Sequence, residues 1–284
     1  MKNYKEKHGG ALMSIRNKRF AYGKNQLQFG DLRLPEGKGP YPVAIVLHGG
    51  FWKNIWGLDM MEPVAKDLAS RGIATWNIEF RRVGDEGGGW PGTLIDAANA
   101  TDYLQQIAEE NHLDLGRVIA IGHSAGGHLA LWLAGRKKLP ENSVLRITDQ
   151  PLSLKGAISL AGVNDLALMD DVHHLRLSEF GKENNHPVTD LLGGTPKEVP
   201  ERYEEASPIQ LLPLQVPQVL IHGSLDINVP IGISYNYKRV ADASGDQVKM
   251  VEIPSAEHSK VIDPNVEEWS YIVTEVINLL DMGQ

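Results

Sequence analysis

The chain has 284 residues and a formal net charge of −8, with a pI near 5.7, which argues against a nucleic-acid partner because gripping phosphates needs clustered Lys and Arg. Hydrophobic residues make up 42% and charged residues 23%, the balance of an ordinary globular core, and there is no cysteine, which excludes disulfides, thiolate metal sites and a cysteine nucleophile. No apolar run reaches the length of a membrane span, about 18 residues or more, and a soluble cytoplasmic protein is expected.

Residues 1–17 are polar and basic, without an apolar stretch of signal-peptide length, and are expected to form a loosely held arm. Residues 18–284 are expected to form a single domain. From Lys18 to Leu34, the alternation of Phe20, Tyr22, Leu27 and Phe29 predicts a hairpin of edge strands around Gly23-Lys24-Asn25, followed by a Pro/Gly loop from Pro35 to Pro42. Val43 to Leu47 is a continuous β-rich run, as expected of a strand buried on both faces, and it leads directly into His48-Gly49-Gly50-Phe51-Trp52. Val64, Ala65 and Leu68 give Met61–Arg71 a helical spacing that Gly72 closes, and Ile73 to Phe80 is the next strand. The Gly87-Gly88-Gly89-Trp90-Pro91 loop lacks the Lys-Ser/Thr of a phosphate-binding loop and is expected to be a flexible rim.

Thr93 to His112 is predicted to be a long amphipathic helix. It precedes the apolar run Val118–Ile121 and the pentapeptide Gly122-His123-Ser124-Ala125-Gly126, followed by small residues of helical character. Gly-x-Ser-x-Gly between a strand and a helix is the pattern of a nucleophile elbow, with glycines where the sharp turn leaves no room for Cβ atoms. Later strands are predicted at Gly156–Leu160, Val216–Ile221 and Val248–Ile253, and helices at 231–243 and 264–280. Residues 166–215 show no regular pattern and are expected to be a small irregular cap segment. Strands and helices otherwise alternate, which predicts an α/β fold with a doubly wound, mostly parallel sheet.

Ligands of such sheets bind at the carboxyl ends of the strands. Ser124, Asp226 and His258 each follow a separate strand there. Ser124 needs a base to take its proton, an imidazole in the His258 loop can do so near neutrality, and Asp226 would hold its tautomer and stabilise the imidazolium. Asp165 is a rival acid, while His123 and His128 are expected to pack beside the elbow. The Ala125 N–H and those of Gly49, Gly50 or Phe51 are candidate oxyanion donors. Phe51, Trp52, Trp90 and His123 are candidate substrate-binding side chains. Asp170-Asp171 and His173-His174 offer metal-ligand types without supporting spacing and are expected to be a solvated loop. No metal or cofactor is expected, and the predicted partner is a small-molecule ester or amide.

Together, His48 to Trp52, Gly122 to His128, His222-Gly223-Ser224-Leu225-Asp226-Ile227-Asn228-Val229-Pro230, and His258 with Val261 to Pro264 resemble the α/β-hydrolase superfamily. Within it they resemble the serine esterase branch that includes arylformamidases (kynurenine formamidases) and small bacterial carboxylesterases. The resemblance spans about residue 40 to the C-terminus. It implies Ser124 as nucleophile, Asp226 as acid, His258 as base, and an oxyanion hole from residues 49–51 with Ala125. The implied activity is hydrolysis of small to medium esters through an acyl-enzyme, or alternatively of an aryl formamide. A non-catalytic binding protein on the same fold is the reading from another class.

Overall fold

The computed structural model describes residues 16–180 and 186–281. Its centre follows from two strands that are apolar on both sides. In β3 (Tyr41–Leu47), Val43, Ile45 and Leu47 join one core while Ala44 and Val46 join another. In β5 (Leu113–His123), Val118 and Ala120 join the first and Ile119 and Ile121 the second. Strands of this kind are stable only in the middle of a sheet with helices on each face.

The other strands are β1 (Arg16–Ala21), β2 (Phe29–Leu34), β4 (Ala74–Ile78), β6 (Gly156–Leu160), β7 (Gln218–Gly223) and β8 (Val248–Ile253), and the sheet order is β1-β2-β4-β3-β5-β6-β7-β8. Pairings β1–β2 and β2–β4 are antiparallel, and the rest are parallel. Helices α2 (Gly92–Ile107), α3 (Ala125–Gly135) and α7 (Gly232–Ala243) supply the first core, and α1 (Glu62–Ser70) and α8 (Trp269–Leu279) the second. This is the expected doubly wound, mostly parallel α/β sheet. No helix among the described residues is long and apolar enough to cross a membrane.

Four expectations are corrected. The hairpin is present, but β2 is interior, paired with both β1 and β4, and only β1 is an edge. The last helix begins at Trp269 rather than Pro264, because Asp263 Oδ1 accepts the Asn265 amide at 2.9 Å in a local turn that competes with helix. The glycine loop is not a loose rim: Gly88 N–H donates to Asp85 O (3.0 Å), Gly89 N–H to Thr93 Oγ1 (3.0 Å), and Thr93 Oγ1 in turn to Arg81 O (2.6 Å).

The supposedly irregular segment 166–215 is largely helical, with α4 (Leu166–Phe180), α5 (Pro187–Leu192), α6 (Pro200–Ala206) and a 3-10 turn at Pro208–Leu211. Prolines that look like loop punctuation here begin α5 and α6, where a missing N–H costs nothing. The expected N-terminal arm lies outside the described residues, except for Arg16 and Asn17, which begin β1.

Candidate active site

Ser124 sits between β5 and α3 at φ +55° and ψ −117°, a conformation that side-chain-bearing residues avoid and that costs about 1–3 kcal/mol. The neighbouring chain holds it there. Its N–H donates to Leu160 O at 2.8 Å, and its carbonyl accepts the amides of His128 (3.2 Å) and Val163 (3.3 Å). A Cβ on Gly122 would lie 2.0 Å from Gly126 O, and one on Gly126 would lie 2.2 Å from Leu47 O. The elbow is thus pressed against the end of β3, and only glycine fits at these two positions.

The candidate acid, Asp226, and the candidate base, His258, stand on the loops after β7 and β8. His258 Nδ1–H donates to Asp226 Oδ2 at 2.6 Å, with the Asp226 side chain fully buried. Asp226 Oδ1 accepts the amides of Asn228 (2.8 Å) and Val229 (3.0 Å). A second imidazole reaches the same carboxylate: His222 Nε2–H donates to Asp226 Oδ2 (3.1 Å) and Val229 O (2.9 Å). Because Nε2 faces only acceptors, His222 Nδ1 is left to accept the Ser234 hydroxyl at 2.8 Å. Ser234 Oγ then accepts Asn164 Nδ2–H (3.1 Å), and Asn164 Oδ1 accepts Ser159 Oγ–H (2.7 Å). Every donor in this buried chain points toward Asp226. Burial alone would raise the Asp226 pKa, but the hydrogen bonds from His222 and His258, the His258 charge and the Val229 amide outweigh it and hold the carboxyl well below the usual range.

His123, next to Ser124, donates Nε2–H to His258 O at 2.8 Å, and the two rings pack at 4.5 Å. Burial, then the nearby His258, pushes its pKa down to about 3, so it is neutral near pH 7. His123 therefore ties β5 to the His258 loop.

The His48–Trp52 loop passes the elbow closely enough that a Cβ on Gly49 would lie 3.1 Å from Ser124 Cβ. Gly50, Phe51 and Trp52 all have positive φ, reversing the chain in three residues. His48 anchors the loop from below, with Nδ1 2.9 Å from Gly49 O and Nε2 3.0 Å from Glu79 Oε1, its ring stacked on Phe80. Above it, Phe51 meets His173 of α4 edge to face at 5.4 Å, and in the nearby glycine loop the Trp90 backbone N–H donates to Leu191 O of α5 at 2.7 Å, so α4 packs on the first loop and α5 on the second.

Two of the four candidate substrate-binding side chains have almost no surface to offer. Trp52 is 0% exposed and packs edge-on to His128, and His123 is 2% exposed. Phe51 and Trp90 are only partly buried. His128 faces away from the base, donating Nε2–H to Ala206 O at 2.9 Å. Asp165 has both oxygens engaged by Leu168 N–H and Asn236 Nδ2, so it caps α4 instead of holding an imidazole. The pair Asp170 and His173 is buried on α4, contrary to the expected solvated loop. The parts played by His222, Ser234, Asn164 and Ser159 were missed: Ser159 and His222 are polar residues within otherwise apolar strands and Asn164 follows one, whereas Ser234 lies on α7 and carried no signal.

A model of the BD-FAE family matches residues 31–240. Esterase EstD of Thermotoga maritima is 25% identical over 208 residues, 70% of this chain and 50% of its own length. A probable isoprenylcysteine alpha-carbonyl methylesterase of rice (Oryza sativa subsp. japonica) is 25% identical over 273 residues, 91% of this chain and 62% of its own. The chain thus spans only about half to three-fifths of these relatives. A truncated carbohydrate esterase from gut microbiota superposes with a TM-score of 0.79 at 21% identity, covering 96% of this chain and 100% of that one. The fold is that of the α/β-hydrolases. The arylformamidase part of the sequence resemblance has no counterpart among these three relatives.

A carboxyl held below its ordinary pKa stabilises the fold fully above its unfolded value, near pH 4, and loses that contribution as the pH falls through the folded value. The urea midpoint of the wild type should therefore fall more steeply below about pH 4 than that of Asp226→Asn. Equal slopes in the two proteins would mean that Asp226 is not held in this way.

Proposed function

The chain belongs to the BD-FAE family, and from that membership and the geometry around Ser124 we propose that it is a serine hydrolase cleaving carboxylic esters of small to medium size through an acyl-enzyme intermediate. The observation that carries this reading is the buried 2.6 Å hydrogen bond from His258 to Asp226, on loops beside a serine in a strained turn. Residues 18–284 act as one catalytic unit, with 166–215 as a cap over the acyl side.

In the first half-reaction Ser124 Oγ attacks the ester carbonyl carbon as His258 Nε2 takes the hydroxyl proton. Asp226 keeps the Nδ1–H tautomer and stabilises the imidazolium. The Ala125 amide at the start of α3 and an amide from Gly49, Gly50 or Phe51 receive the developing oxyanion, and loss of one such donor costs about 10²–10³ in turnover. The tetrahedral intermediate collapses, His258 returns the proton to the departing alcohol, and a water deprotonated by His258 then releases the acid and regenerates Ser124. Phe51 and Trp90 flank the acyl group. The ester preference rests on the relatives named as esterases, and no observation on the chain favours a formamide.

A panel of short p-nitrophenyl esters against N-formylkynurenine tests this reading. Esters should be turned over faster, and Ser124→Ala should lose on the order of 10⁴ in turnover. Preference for the formamide by orders of magnitude, or an active Ser124→Ala, would overturn it.

His222 acts as a positioning residue for Asp226. His222→Leu should lower kcat on the order of tenfold, as expected for loss of a hydrogen bond to a charged group, with KM little changed. With one donor fewer, Asp226 holds a positive His258 more tightly, so the acid limb of the pH–rate profile should move to higher pH. His222→Gln, which keeps an N–H, should recover part of the loss. An unmoved pH profile would show His222 to be core packing only.

A further inference from the structure

The strongest side-chain cluster outside the active site lies where α4 meets the start of α5. Asp170 and His174 are four residues apart on α4, which puts them on one face. His186 immediately precedes α5, and its ring lies 4.7 Å from that of His174 at a 40° tilt. One ligand atom from each of Asp170, His174 and His186 lies within 4.8 Å of the others. We propose that these three side chains bind one divalent late first-row transition ion, with zinc as the representative.

The donor types fit such an ion. Two imidazoles and a carboxylate suit zinc, cobalt or nickel, whereas calcium and magnesium prefer an all-oxygen set. Metal–ligand distances of about 2.0–2.2 Å place tetrahedral ligand atoms roughly 3.3 Å apart. From the 4.8 Å within which they now lie, the ligand atoms would close inward by at most about 1.5 Å on binding.

An independent feature of the same cluster points the same way. His186 Nδ1 is buried and has no hydrogen-bond partner among the described residues. A buried polar atom left in this state is costly, and coordination to a cation through Nδ1 would satisfy it. The carboxylate is also preset. Asp170 is 2% exposed, and Thr189 Oγ1–H donates to its Oδ1 at 2.9 Å, the outer hydrogen bond that ligating carboxylates commonly carry. His174 is roughly half exposed, which provides an entry path and room for a water as fourth ligand. The neighbouring His173 is not a ligand in this proposal, since its ring turns to Phe51.

Bound there, the ion would fasten the middle of α4 to the start of α5 and so brace the helix that packs on Phe51. It has no step in the proposed ester chemistry.

The test uses tag-free, chelator-treated full-length protein titrated with Zn²⁺ against a chromophoric chelator. Wild type and Ser124→Ala should each bind one equivalent. His174→Gln and His186→Gln should weaken binding by about 10–100-fold or more, and Thr189→Val by about tenfold. Zn²⁺ should raise the Tm of wild type and leave that of His174→Gln unchanged. His174 is exposed enough for its variant to fold even if the buried His186→Gln does not. Failure of wild type to compete for Zn²⁺, or undiminished binding by His174→Gln, would overturn the proposal.

Discussion

The architecture depends on one strained backbone conformation. Ser124 holds φ +55° because three segments meet around it: β3 presses its Leu47 carbonyl against Gly126, β6 takes the Ser124 amide at Leu160, and the start of α3 returns His128 N–H to the Ser124 carbonyl. About 1–3 kcal/mol of local strain persists only when the surroundings over-determine it. The strands that fix it are also core strands, since every residue of β3 and β6 is buried. Core packing and placement of the serine are therefore one constraint.

Around that point the protein distributes a single buried negative charge with care. Asp226 receives two backbone amides and two imidazoles, and behind His222 the run of Ser234, Asn164 and Ser159 has one consistent donor direction. A fully satisfied buried polar network rigidifies its members, while a partly satisfied one is costly. The network also ends near the elbow, because a Cβ on Gly127 would lie 2.7 Å from Ser159 Oγ. The Asp226 loop and the Ser124 elbow are thus linked both through His258 and His123 and from behind.

Much of this was legible in the sequence, and the reasons are physical. β3, β5 and β6 announce themselves because a strand covered on both faces must be continuously apolar. Ser124, Asp226 and His258 stood out as candidates because each follows a strand, at the end where an open α/β sheet puts its ligands. The helices of 166–215 escaped detection because the buried residues of α4 include Asp170 and His173 beside Leu166 and Met169, which blurs any apolar stripe, while α5 and α6 are too short for periodicity to register. Trp52 was misjudged because an aromatic in a loop can point either into the core or at a ligand. Beyond its place in an apolar strand His222 had no signal, and His186 had none, because their contacts are set by how a loop and a helix turn back on them rather than by any sequence pattern.

The claim that Ser124 is the attacking atom is tested most directly by fluorophosphonate labelling followed by intact-mass measurement and peptide mapping. The account predicts one adduct per chain, on Ser124, with activity lost in proportion to labelling. Labelling at another residue, or full activity after complete labelling of Ser124, would contradict it.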